Sequence, residues 1–297
     1  MNLAPVVLFS YKRLVTLQQT VDALSTNYLA DKTDLIIYSD GPKNFEEQLI
    51  INEVREYLKT IKGFKSVIIH ESKLNIGLAS SIIHGVSATM KEFHKAIVLE
   101  DDLVTSNNFL VFMNAALDFY QYNTQILSIA GFSPIIKGLN INQIYFTQRA
   151  SSWGWACWED RWEKVDWSCD YYEQFIGNKK NILKFNEMGS DLSLMLKRQM
   201  TGKINSWAIR FCFHQFQHNL LSVHPAISKV KNIGFSEENA TNTVHKYTRF
   251  KSIFDISSNQ HFHFESNVQL FPKIIKQFIN DNSIRVRLLN KLMNFIK

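Results

Sequence analysis

An α/β fold, with a mixed, mainly parallel sheet flanked by helices, is what this chain predicts on three observations. Short apolar runs alternate with helix-periodic stretches through the first 130 or so residues. Three of those runs end in polar, turn-forming residues, at Ser10 to Arg13, at Asp40-Gly41 and at Glu100 to Asp102. The third delivers consecutive carboxylates from the exit of a continuous aliphatic run, Ala96-Ile97-Val98-Leu99. Strands joined through crossover helices form a parallel sheet, and such sheets gather ligands at the carboxyl ends of their strands. The polar ends are therefore expected along one edge.

Pro5-Val6-Val7-Leu8-Phe9-Ser10 is the first strand, Tyr11-Lys12-Arg13 its turn, and Leu14, Leu17, Val21 and Leu24 mark a helix by their spacing. Leu35-Ile36-Ile37-Tyr38-Ser39 is the second strand, ended by Asp40-Gly41-Pro42 and followed by a helix from about Glu46 to Thr60. Val67-Ile68-Ile69-His70 is the third, with a turn at Asn75-Ile76-Gly77-Leu78 and a helix from Ser80 to Phe93 that leads into the acid-bearing strand. A helix over Phe109 to Tyr122 and a strand over Ile126 to Ala130 follow, after which regular alternation stops.

Adjacent carboxylates repel unless a cation lies between them. Hard oxygen ligands suit Mg²⁺ or Mn²⁺, and these ions in turn bind diphosphates, so Glu100, Asp101 and Asp102 predict a metal- and nucleotide-dependent transferase. A solvated acidic turn is the competing reading. Five of the six tryptophans, Trp153, Trp155, Trp158, Trp162 and Trp167, fall in one short region. They read either as the core under a second layer or, with Trp207, as a platform for the faces of acceptor sugars, in which case Trp153, Trp155 and Trp207 are the acceptor-binding residues. His214 and His218 lack the glutamate of a zinc-protease helix and read as packing residues.

The 297 residues suffice for a sizeable core, and 33 basic against 27 acidic side chains leave a charge of +6 that favours anionic partners. Nucleic acid is not favoured, because the basic residues cluster at the C-terminal end rather than among exposed aromatics. Cys157, Cys169 and Cys212 form no CxxC pair and read as core thiols of a reducing compartment. With no long apolar stretch and no charged, apolar leader, a cytoplasmic protein is expected. No linker divides the chain, so one body over 1–250, with a nucleotide half at 1–130 and an acceptor half at 131–250, carries a basic amphipathic helical extension over 251–297. That extension either docks on the body or meets an anionic membrane surface.

In the order and spacing of these motifs the chain resembles the GT-A glycosyltransferases, in particular the N-acetylglucosaminyltransferase I type and bacterial surface-glycan enzymes. The resemblance covers roughly residues 4 to 245. It rests on the arginine-containing turn at Ser10-Tyr11-Lys12-Arg13, on Asp40, on Glu100-Asp101-Asp102-Leu103 and on Gly154-Trp155. Pro225-Ala226-Ile227-Ser228 ahead of Asn232-Ile233-Gly234-Phe235 completes the pattern. It implies a GT-A, Rossmann-like catalytic domain in which Ser10, Tyr11, Arg13 and Asp40 contact the nucleotide and Asn75 and Gly77 approach the donor. It further implies that Asp102 ligates Mn²⁺ or Mg²⁺ with His224 nearby, and that Glu100 and Asp101 hold ribose or metal-bound water. The loop from Asn232 to His245 is expected either to close over the donor or to stay a static surface loop.

The function so implied is metal-dependent, inverting transfer from a UDP sugar to a glycan or lipid-linked acceptor in bacterial surface polysaccharide synthesis, at the inner face of the membrane. The family's general base falls in the segment Asn205 to Arg210, where Ala208 stands in place of the acid. Asp160, Glu159 and Asp191 are the replacement candidates, and an inactive nucleotide-sugar-binding protein is the alternative. A nucleotidyltransferase is disfavoured, since Ser10 to Arg13 contains no glycine to cradle phosphates.

Overall fold

The continuous apolar runs follow from burial on both faces. In strand β1 (Val6–Ser10) every residue is enclosed, with Val6 and Leu8 in one apolar layer and Val7 and Phe9 in the other. The computed structural model describes residues 2–235 and 248–295. After β1 come α1 (Leu14–Ser25), β2 (Asp34–Ser39), α2 (Gln48–Leu58), β3 (Ser66–Glu71), α3 (Leu78–Phe93) and β4 (Lys95–Glu100). These four strands pair in parallel in the order β3-β2-β1-β4, with Ser10 opposite Ser39 and Phe9 opposite Glu100, so the polar strand ends share one edge.

The second half departs from simple alternation. It holds β5 (Leu103–Thr105), α4 (Phe109–Tyr120), β6 (Ile126–Ala130), β7 (Ile144–Thr147) and β8 (Trp155–Trp158). Four short helices follow, α5 (Glu159–Trp162), α6 (Tyr172–Ile176), α7 (Lys179–Asn186) and α8 (Leu192–Met200), then α9 (Trp207–Gln217), β9 (Leu221–Pro225) and β10 (Val230–Asn232). Among the described residues the main sheet has eight strands in the order β3-β2-β1-β4-β8-β6-β9-β7. Strand β8 runs antiparallel between β4 and β6, β9 runs parallel to β6, and β7 closes the edge antiparallel to β9. The mixed, mainly parallel α/β sheet is as expected. Helices α1, α2 and α4 cover one face, and α3 and α9 cover the other.

The tryptophan-rich region divides between core and site. Trp155 is buried, with ring centroids 4.8 Å from Trp207 and 5.4 Å from Trp162, both stacked. Stacked aromatic pairs of this kind add roughly 0.5–1.5 kcal/mol beyond the area they bury. Trp155 and Trp207 therefore hold α9 and α5 to the sheet, and the expectation that they bind acceptor is corrected. The three cysteines are buried free thiols.

The chain beyond residue 250 is not a simple appendage. Residues 251–270 run back across the body through bridges at Ser228–Phe254 and Gln143–His263, and Phe262 and Phe264 pack on Phe112 of α4. Helix α10 (Pro272–Phe278) docks through Ile274, Ile275 and Phe278 on the apolar cluster under α6 to α9. Helix α11 (Ile284–Phe295) buries no residue, and Ile284, Leu288, Leu292 and Phe295 stand exposed in one row. Among the described residues no helix is long and apolar enough to cross a membrane.

Candidate active site at the strand ends

Strand β4 stops at Glu100, and Asp101 and Asp102 form the turn into β5, which pairs antiparallel with β10. The amide of Ile233 donates to the Asp102 carbonyl at 2.9 Å, so backbone bonds fix where the last acid sits. Arg13 reaches across from the end of β1. Its Nη1 donates to Asp102 Oδ2 at 2.8 Å and its Nη2 to Asp101 Oδ1, while the Tyr11 amide reaches Asp101 Oδ2 at 3.3 Å. Among the described residues Asp102 Oδ1 is buried without a hydrogen-bond partner, and so is Ser10 Oγ, and both residues line the cavity. Gly234 completes the cradle, because a Cβ at that position would overlap Asp102 Oδ2 and crowd Arg13 Nη1. Burial, reinforced by Asp102 and Asp101, pushes Glu100 up to about 8. Burial outweighs Arg13 to raise Asp101 to about 6.

Asp40, at the end of β2, is a clasp. Its Oδ1 accepts from the amides of Gly41 and Ile76 at 2.9 and 3.0 Å, and its Oδ2 accepts from Gly77 at 3.0 Å. Asn75 Nδ2 donates back to Gly41 O at 2.9 Å, and Gly77 takes a φ of +77°, which a side chain would disfavour. The expected donor residues Ser10, Tyr11, Arg13, Asp40, Asn75 and Gly77 thus converge on one cavity of about 770 Å³ together with the acids. Sequence reasoning missed Glu47, which accepts from Tyr11 Oη, from Lys12 Nζ at 2.8 Å and from the Lys43 amide at 3.0 Å. Lys12 leads these contacts in holding its carboxyl down at about 2. Lys12 and Lys43 also lie over the Tyr11 ring, each 5.7 Å from its centroid. Nothing local marks Glu47 in the sequence, since it follows an ordinary helix-entry turn.

The far wall of the same cavity comes from the second half. Trp153 borders it, packed edge-on against Phe132, Phe250 and Phe235 at 4.6, 5.1 and 5.6 Å, and is the one tryptophan of the expected acceptor set that lines it. Asp191 lines it too, held by Arg149 through two bonds of 2.9 and 3.0 Å. Burial alone would raise the Asp191 carboxyl, but Arg149 holds it below the usual range.

Three expectations are corrected. Because β8 is antiparallel, with Trp158 opposite Lys95, Glu159 and Asp160 leave the sheet at its other edge, roughly 17 Å of strand away from Glu100. Glu159 there meets the His94 ring, and Asp160 pairs with Arg161 at 2.7 Å on a half-exposed surface. Neither reaches the cavity. Asp160→Asn is accordingly expected to leave turnover within about twofold and stability within about 1 kcal/mol in steady-state rates and thermal melts; a hundredfold loss of rate would contradict the placement.

His224 lines the cavity but has both ring nitrogens engaged, Nδ1 with Phe132 O at 2.9 Å and Nε2 with Thr147 Oγ1 at 3.1 Å. Burial pushes its pKa down to about 4, so the ring is neutral, and with both nitrogens already bonded it packs the wall instead of offering one to a metal. Ala208 packs in the apolar layer under α9, whose N-cap is Ser206, and the cavity-facing member of that segment is Asn205. Of the loop from Asn232 to His245, residues 232–235 reach the cavity, and the rest lies outside the described residues. Among the described residues no group of three or more His, Cys, Asp or Glu side chains could hold a metal by itself.

No family model matches the chain, and no curated protein matches it in sequence. Among solved structures it is similar to the mannosyltransferase PcManGT from Pyrobaculum calidifontis, a complex with GDP-Man and Mn²⁺. That match has a TM-score of 0.37 and 10% identity, over 55% of this chain and 46% of that one. It is also similar to S. aureus TarS, with a TM-score of 0.32 and 10% identity, over 48% of this chain and 24% of that one. The chain thus spans under half the length of the first and about a quarter of the second. At this extent the likeness speaks to neither activity nor ligand.

Proposed function

We propose that the chain is a glycosyltransferase that binds a nucleotide sugar with a divalent cation at the ends of β1, β2 and β4 and passes the sugar to a glycan or lipid-linked acceptor. The observation that carries this reading is Asp102 on the wall of a cavity of about 770 Å³, with its Oδ1 buried and without a hydrogen-bond partner among the described residues and its Oδ2 seated where Gly234 carries no side chain. Such a site fits a cation held by one carboxylate and by the oxygens of a diphosphate, which is how Mg²⁺ and Mn²⁺ commonly bind. Asp102 would hold it, and the ion, when bound, supplies positive charge to the departing diphosphate.

The chain's own groups divide the remaining work. Arg13 fixes the rotamers of Asp101 and Asp102, Tyr11 with Lys12 and Lys43 offers a ring and positive charge to the nucleoside end, and the Asp40 clasp sets the Asn75-Gly77 turn against the donor. Trp153 presents a ring toward the acceptor half. UDP is the nucleotide, inversion the stereochemical course and bacterial surface polysaccharide the product class that the GT-A resemblance implies. The exposed apolar row of α11, on a helix with Arg285, Arg287 and Lys291 and no acid, supports contact of this end with an anionic membrane.

A second reading, a nucleotide-sugar-binding protein with impaired turnover, is favoured by one observation. Asn205, an amide, is what the expected base segment turns toward the cavity, and Asp191 is clamped in its ionised form. Calorimetric titration with UDP, with and without Mn²⁺, followed by hydrolysis assays on a panel of nucleotide sugars, separates the two. Metal should tighten UDP at least about tenfold, equivalent to about 1.4 kcal/mol. Turnover of one donor supports the enzyme, metal-dependent binding with none supports the second reading, and metal-independent or absent binding refutes both.

A further inference from the structure

The cavity has two charged ends of opposite character. At the strand ends, three carboxylates face one guanidinium, Arg13. At the other end two guanidiniums, Arg149 and Arg249, share one ionised carboxylate, Asp191, with Asp281 as a second acid on the wall. The sharing is unequal. Arg149 takes both Asp191 oxygens and the Met188 carbonyl, and glycine at position 189 is what makes room for it, since a Cβ there would overlap Nη1.

Arg249 is left with an Nη2 to Oδ2 separation of 3.9 Å, beyond hydrogen-bond reach, and its Nε is buried without a partner among the described residues. Its guanidinium carbon lies over Phe250, 4.4 Å from the ring centroid, and Phe250 packs on Trp153. Asp281, the other acid at this end, already accepts from the Lys251 amide, and Arg287 adds further positive charge beside Arg249. With its Nε buried and its side chain 21% exposed, this guanidinium is partly stripped of water and gains from an acceptor that reaches its open side.

The donor's phosphates do not meet this need, because the acid end of the cavity places them with the cation. Trp153 lies between the two ends, one ring contact from Phe250. A sugar against the tryptophan face would bring a charged substituent to Arg249.

We infer that this wall is a subsite for an oxyanion, a carboxylate or a phosphate, carried by the acceptor, with Arg249 as its direct ligand and the Arg149–Asp191 pair positioning Arg249. This rests on the glycosyltransferase reading. The acceptor is then an acidic saccharide or a phosphorylated one, and a neutral sugar leaves Arg249 unanswered.

The test is a ligand-observed NMR titration of the full chain with UDP and Mn²⁺ replaced by diamagnetic Mg²⁺, using three probes. Methyl β-D-glucuronide represents the carboxylate source, glycerol 3-phosphate the phosphate source and methyl β-D-glucoside the neutral control. One anionic probe should bind at least about tenfold tighter than the glucoside, as a charge-assisted bond predicts. Arg249→Gln should erase that excess while UDP affinity stays within about twofold, which also reports that the variant is folded. The stronger of the two anions identifies the source. Equal binding of all three probes, or an excess that survives Arg249→Gln, overturns the subsite. Failure of UDP to bind with Mg²⁺ overturns the glycosyltransferase reading instead, and the anion excess still reports on Arg249 by itself.

Discussion

Asp102→Ala is expected to abolish the metal dependence of UDP binding and to lower sugar transfer by about 10²- to 10³-fold, the loss typical when a stabiliser of developing negative charge is removed. The fold should survive. Arg13 keeps Asp101 as a partner, and the turn at 101–102 is held by backbone bonds to β10 and Ile233 that do not involve the deleted carboxylate. Stability should in fact change little, because deleting one negative charge relieves its neighbours. Asp102 is among the groups that push Glu100 up to about 8 and Asp101 to about 6, so their ionised forms become less costly without it. An acid cluster that opposes its own burial and yet lines a cavity is the usual compromise between stability and function. The measurements are initial rates, calorimetry with and without Mn²⁺, and a thermal melt. Unchanged metal dependence would remove Asp102 from the site, whereas a collapsed melt would show that the carboxylate has a structural role.

The parallel half was legible because its physics is local. Strands buried on both faces give unbroken apolar runs such as Val6 to Phe9, and one-directional crossovers put Ser10, Asp40 and Glu100 on the same edge without further information. Strand β8 was not legible. Its alternation is real, with Trp155 and Cys157 facing one layer and Ala156 and Trp158 the other, but four residues rich in tryptophan look like aromatic mass rather than a strand. Missing its antiparallel direction moved Glu159 and Asp160 to the wrong end of the sheet. The far wall of the cavity fails to show for a different reason. Arg149, Asp191 and Arg249 lie 42 and 58 residues apart in sequence and meet only through the packing of α8 and the returning C-terminal segment. The tail's apolar and basic residues were visible, but the break at Asn280–Asn282, which docks α10 and leaves α11 exposed, depends on what the body offers to pack against.

That returning segment is locked by a buried ion pair, and breaking it should have the largest effect on stability. Lys229, fully enclosed after β9, donates through Nζ to Asp255 Oδ2. Asp255 also accepts from Asn108 Nδ2 at 3.0 Å and from the Ser257 amide at 2.8 Å, and Lys229 Nζ lies 4.6 Å from the Phe262 ring centroid. Lys229→Met or Asp255→Ala alone should cost about 3–5 kcal/mol in chemical denaturation, since each strands a buried charge. The double variant Lys229→Met, Asp255→Ala should recover part of that loss, because no unpaired charge is then left buried. Additive losses in the two singles, with no recovery in the double, would refute the pairing.

The acid limb gives a second check. Burial alone would raise the Asp255 carboxyl, but Lys229 and Asn108 hold it below the usual range. A depressed folded pKa adds stability that is complete above the unfolded value of about 3.9 and is lost as pH falls through the lower folded value. The Asp255→Ala variant should therefore lose less stability on acidification than the parent chain. Because the same segment carries Arg249 and Phe250 to the far wall of the cavity and leaves the acid triplet untouched, a loosened strap should weaken binding of the anionic probes at Arg249 while UDP binding persists. Equal loss at both ends would mean that the strap supports the whole cavity and not its far wall alone.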